Sequence, residues 1–89
     1  MDAQKIWEIL QRTCEAGTYW GENFVSIAGE YIKNGRMLEY RFQGALGFGG
    51  KVWINNGRAP YVTCYPEDMN ESKRKMIDAA NAELKDMKQ

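Results

Sequence analysis

Histidine is absent from this chain of 89 residues. That removes the commonest general base, the usual zinc ligand and every histidine-based catalytic triad together. Cysteine is scarce, with Cys14 and Cys64 the whole complement. Two cysteines make no disulfide scaffold, and in a reducing compartment both are expected as free thiols. No histidine stands by to lower either thiol's pKa. Two thiols alone also fall short of a structural zinc site, so neither a metal nor a cofactor is expected. An excess of one charge is missing too, since 12 basic residues balance 12 acidic ones. A neutral chain has no net field to draw it onto nucleic acid or an anionic membrane. No apolar run nears the roughly 20 residues that span a bilayer. Asp2 and Glu8, set among the N-terminal apolar residues, do not suit a secretory signal. A cytoplasmic protein is expected.

What is there suits one folded unit. Apolar residues make up 44% and charged residues 27%, enough burial to oppose disorder in a single domain over residues 1–89. Residues 3–16 read as a first helix: Ile6, Ile9, Leu10, Thr13 and Cys14 recur at helical spacing, with Asp2 placed to cap and Gly17 to end it. Trp7 falls beside that stripe, at the edge of the core. In residues 18–35, Phe24, Ile27, Ala28, Tyr31 and Ile32 fit a helical face and Asn34-Gly35 would end it. Gly29 and the β-formers Phe24, Val25, Tyr31 and Ile32 support a strand instead, with Asn34-Gly35 as a hairpin turn. The helix is the preferred reading. A last helix runs from about Met69 to Met87, capped by Asp68 with Glu71 or by Asn70, and its stripe is Met76, Ile77, Ala80, Leu84 and Met87.

Residues 36–65 organise the rest. Leu38, Tyr40 and Phe42 alternate with Glu39, Arg41 and Gln43, the pattern of a strand with one buried face. Val52 and Ile54 make a second strand, and Val62 and Cys64 a third. A loop of Asn55-Asn56-Gly57, with Gly57 left-handed, pairs Ile54 with Arg58 and brings Val52, Ile54, Val62 and Cys64 onto one face. The expected fold is α+β: a small two-layer domain, a three-stranded antiparallel β-meander packed with N- and C-terminal helices.

The glycine-rich loop of residues 44–51 ends in a lysine, as phosphate-cradling loops do. Its spacing is one residue too long, Val52 replaces the metal-binding hydroxyl, and a strand follows instead of a helix. A bulged hairpin loop explains it better. Pro66-Glu67-Asp68 and Glu71 suit helix capping, and Lys73-Arg74-Lys75 a solvated helix face. No nucleophile–base pair, metal spacing or cofactor fingerprint is legible, so an enzyme is not expected.

The face opposite the core is the candidate site. Trp53, Tyr61 and Tyr65 share it with Arg41, with Glu39 and Met37 nearby, and aromatics with arginine are the types enriched at binding hot spots. Arg41, Phe48, Lys51, Trp53, Tyr61 and Tyr65 are the expected partner-binding residues. The alternation leaves three states open for this face: exposed, covered by residues 18–35, or buried in a homodimer. The alternative function is small-molecule, nucleotide or single-stranded nucleic-acid binding through the glycine loop and the aromatics. Neutral charge and the flanking Glu39 weigh against nucleic acid.

The stretch GALGFGGKVWINNGRAPYVTCYPED, residues 44–68, resembles short accessory proteins of phages and mobile elements. The resemblance implies a protein that acts by binding and disabling a host defence protein, a restriction or CRISPR effector. It brings no catalytic residues with it.

Overall fold

The chain folds, in a computed structural model, as three helices and a three-stranded antiparallel sheet, the α+β class expected. The structure describes residues 2–43, 49–55, 57–64 and 70–87. Helix α1 is Ala3–Thr13, opened by Asp2, whose carboxylate accepts from the Gln4 amide at 2.9 Å. It ends earlier than the periodicity suggested. Glu15 takes the left-handed conformation (φ 52°) instead of Gly17, and the Ala16 amide reaches back to the Leu10 carbonyl at 3.3 Å. Gly17 is extended and becomes the N-cap of the next helix.

Residues 18–33 are helical throughout: α2 is Thr18–Lys33. Phe24 and Ala28 are buried, while Ile27, Tyr31 and Ile32 pack against the core from its margin. Burial of that stripe outweighs the weak helix propensity of Gly29, which is exposed and meets nothing within 4 Å. Asn34 closes the helix and Gly35 follows in the left-handed region (φ 65°), as expected of that pair.

Strands β1 (Leu38–Gln43), β2 (Gly49–Ile54) and β3 (Tyr61–Cys64) lie in that order. Leu38, Tyr40, Phe42, Val52, Ile54 and Val62 form the buried face; Cys64 is only half-buried. Two details of the expected pairing change. Val52 lies opposite Val62, so Ile54 does not pair with Arg58. The slip is two residues, an even number, so every side chain keeps its face. Gly57 is left-handed (φ 78°) as expected, inside a turn closed by the Arg58 amide on the Asn55 carbonyl at 3.2 Å. Gly49 and Gly50 belong to β2, not to the loop. Gly50 sits opposite Phe42, and a Cβ there would come within 2.9 Å of the Phe42 ring. The rest of that loop, residues 44–48, lies outside the described residues.

Helix α3 is Glu71–Leu84, and Asn70 takes the cap, accepting from the Lys73 amide at 2.8 Å. Asp68, the other expected cap, and Met69, the expected first residue of the helix, lie outside the described residues. Ile77, Ala80 and Leu84 are buried as expected. Glu83 faces water yet is not idle: both its oxygens accept from Arg12 at 2.7 Å, tying α3 to α1. The guanidinium holds the Glu83 carboxyl below its usual range, first by that hydrogen bond. Arg12 is raised in turn by the same partner.

All three helices lie on one side of the sheet, giving the expected two layers. Trp7, expected at the margin, is the centre of the core at 2% exposure. Its ring stands 5.0 Å from Phe24 and edge-on to Tyr40 and Phe42 at 6.0 and 6.2 Å. Gly21 makes room for it. A Cβ on Gly21 would fall 1.9 Å from the indole nitrogen, so only a bare backbone lets α2 close over Trp7. The close approach leaves that buried N–H without a hydrogen-bond partner among the described residues, at a desolvation cost of about 1–3 kcal/mol that the surrounding ring contacts must exceed. Cys14 is fully buried beneath the same core, and burial pushes its thiol pKa up; both cysteines are free thiols.

Candidate partner-binding face

Two rows of odd-numbered side chains cross all three strands of the sheet. Register places Glu39, Trp53 and Tyr61 side by side in one row, and Arg41, Lys51 and Thr63 in the other. The strand period of two forces this set onto the side away from the helices. Among the described residues no element packs over it. Glu39, Arg41 and Tyr61 are exposed, and Lys51, Trp53 and Thr63 half-buried. Of the three states the alternation left open, covering by residues 18–35 is excluded, because α2 lies on the other face with Phe24 against Tyr40 at 5.1 Å.

Trp53 is pinned. Its ring lies almost parallel to Tyr61 (15°, centroids 6.1 Å apart), and its indole N–H donates to Thr63 Oγ1 at 3.1 Å. The Lys51 ammonium sits 5.8 Å from the indole centroid. Two aromatic planes thus form one shelf, with Tyr61 still 47% exposed. Thr63 was legible as a member of this face, but its part in fixing the indole appears only with the register.

The charges beside the shelf are partly compensated. Arg41 and Lys51 face each other across the strands, a repulsive placement. Glu39 Oε1 relieves it, lying 3.2 Å from Lys51 Nζ and 3.5 Å from Arg41 Nε. Lys51's hydrogen bond first, with Arg41 adding to it, holds the Glu39 carboxyl below its usual range. One carboxylate therefore offsets one of the two cations and leaves a single positive charge, well short of the several that hold a phosphate backbone. Among the described residues Arg41 is held by one ion pair, at Nε, and its side chain is 72% exposed.

No protein-family model, curated protein or solved structure matches this chain. Of the six expected site residues, Arg41, Lys51, Trp53 and Tyr61 come together on this face; Phe48 and Tyr65 lie outside the described residues. Two grooves among the described residues lie elsewhere. A groove of about 360 Å³ follows the α1–α2 seam past Gln4, Trp7 and Glu22, and one of about 520 Å³ follows α1–α3 past Arg12 and Glu83. The displaced carboxylate in the second groove is explained by its ion pair with Arg12, a structural cause. The sheet face itself is broad and open, a shape that meets another macromolecule better than it encloses a small ligand. Among the described residues no helix is long and apolar enough to cross a membrane, and no cluster of acidic or cysteine side chains has the makings of a metal site.

Proposed function

We propose that this protein is a non-enzymatic binding module whose bare sheet face takes a protein partner. The observation that carries the reading is the pinned Trp53–Tyr61 shelf beside an exposed arginine, on a face that no described element covers. A pinned aromatic loses little side-chain entropy on binding, and Arg41 has its terminal nitrogens left for a second partner. The complementary surface offers an apolar side chain to the shelf and a carboxylate to Arg41. The Glu39 bridge between Arg41 and Lys51 disfavours the phosphate-binding alternative. Following the resemblance of residues 44–68 to phage accessory proteins, the proposal extends to the partner's class: a host defence protein that is blocked by occupation, with the protein acting in the cytoplasm.

The test is capture from a bacterial lysate with wild type and Trp53→Ala side by side. One protein should be retained by wild type and lost from the variant, with its purified form binding Trp53→Ala weaker by about 2 kcal/mol, roughly 30-fold. Capture indifferent to Trp53→Ala, or recovery of a nucleotide or other small molecule in place of a protein, would overturn the reading.

A further inference from the structure

The two edges of the sheet are treated differently. At the β3 edge, Asn81 of α3 plays the part of a fourth strand. Its Oδ1 accepts from the Val62 amide at 2.7 Å, and its Nδ2 donates to the Val62 carbonyl at 3.0 Å. That also sets the hydrogen-bonding phase of the whole sheet. Val62 points its backbone outward, so Lys51 and Trp53 bond to β3, and Val52 bonds to Tyr40 on β1. The backbone groups of Glu39 and Arg41 therefore point away from the sheet at the β1 edge. Among the described residues nothing accepts or donates to them. The pairing of β1 is regular along its length, without proline or bulge. The charges of Glu39 and Arg41 guard this edge against most strands but suit one that presents the complementary order.

We propose that the β1 edge pairs with β1 of a second copy, antiparallel about Tyr40, to make a six-stranded sheet. The sequence of the strand selects that register. Residues 38–42 read Leu-Glu-Tyr-Arg-Phe, and a two-fold axis at Tyr40 sets Glu39 opposite Arg41 of the other copy, twice. It also sets Leu38 opposite Phe42. Glu39 and Arg41 are the residues whose backbones face outward, so each opposed pair exchanges two hydrogen bonds as well as joining opposite charges. A shift of the pairing by two residues either way puts Glu39 against Glu39 or Arg41 against Arg41. Like charges directly opposite oppose those alternatives.

An independent observation marks the same edge. Tyr19 and Trp20 are among the exposed large apolar side chains, at 80% and 36%, and their rings meet edge-on at 5.6 Å. The Tyr40 hydroxyl donates to the Trp20 carbonyl at 2.8 Å, which brings this pair beside the centre of β1. Two copies joined about Tyr40 bring their Tyr19–Trp20 pairs together on the helical side of the axis. On the other side, the assembled sheet presents two Trp53–Tyr61 shelves on one twisted face.

Sedimentation velocity on the purified chain, from low micromolar to submillimolar concentration, tests this without any partner, so its outcome is separate from that of the partner-capture experiment. Wild type should move from one chain's mass to two. Arg41→Glu sets a carboxylate against Glu39 at both contacts and should weaken dimerisation about tenfold or more. The double exchange Glu39→Arg with Arg41→Glu keeps opposite charges opposed and should restore the dimer. Both substitutions are at exposed positions, and circular dichroism checks that each variant is folded. A wild type that stays monomeric throughout, a dimer indifferent to Arg41→Glu, or a folded double exchange that fails to recover would each overturn the proposal.

Discussion

Trp7 and Trp53 lie on opposite sides of one three-stranded sheet and are held by opposite means. Trp7 is enclosed by three aromatic rings and the bare backbone of Gly21, and its N–H has no partner among the described residues. Trp53 is half in water, flanked by one tyrosine and a lysine, and its N–H is satisfied by Thr63. The covered side tolerates an unpaired donor because apolar burial and ring packing dominate there. On the open side polar groups hold one another in place: Glu39 contacts two cations, and Thr63 fixes an indole. One side uses its aromatics to hold the fold; the other leaves Tyr61 exposed and Trp53 half-buried, as the proposed binding face requires.

If that contrast is right, the covered side should be intolerant of small changes. Gly21→Ala forces a methyl to within 1.9 Å of the Trp7 indole nitrogen, and overpacking of this kind should lower the unfolding free energy by about 3 kcal/mol. Urea denaturation checks it, and a loss below about 1 kcal/mol would mean that α2 sits more loosely over Trp7 than the packing indicates. Asn81→Ala comes next. It leaves the Val62 amide and carbonyl unpaired where α3 meets β3, and should cost about 2 kcal/mol. Hydrogen exchange should show the Val62 amide losing protection, with the β1–β2 amides less affected. The smallest effect has the opposite sign. Gly29 is exposed in mid-helix with open space around it, so Gly29→Ala should stabilise the protein by roughly 0.5–1 kcal/mol. A rise in melting temperature without a change in partner capture would show that α2 is scaffold and not site.

Much of this was legible in the sequence, and the exceptions have physical reasons. Leu38, Tyr40 and Phe42 could be placed on the buried face because alternation needs no knowledge of the partner strand. The same alternation constrains only the parity of the pairing, which is why Ile54 and Arg58 were matched two residues out of place without any side chain changing face. Trp7 was misplaced because its burial depends on Gly21 in a different helix, and a missing side chain leaves no periodic signal. The helix over residues 18–33 competed with a strand because Gly29 weakens helical propensity, yet an exposed glycine opposes only about 1 kcal/mol against the burial of Phe24. Asn81 had a signal that went unread: it is a polar residue four positions after Ile77, on the apolar stripe of α3. The open face was visible as a set of residue types. That it is uncovered depends on which side α2 chose.

The most direct measurement is therefore a pair of unfolding curves, for Trp7→Ala and Trp53→Ala in the purified chain. Loss of the enclosed indole should cost about 4 kcal/mol, a large share of the stability of a domain this size. Loss of Trp53 should cost only about 1 kcal/mol, the scale of one exposed ring stack. A Trp53→Ala variant as damaged as Trp7→Ala would contradict the account, since a face that holds the fold together is not one kept open for a partner.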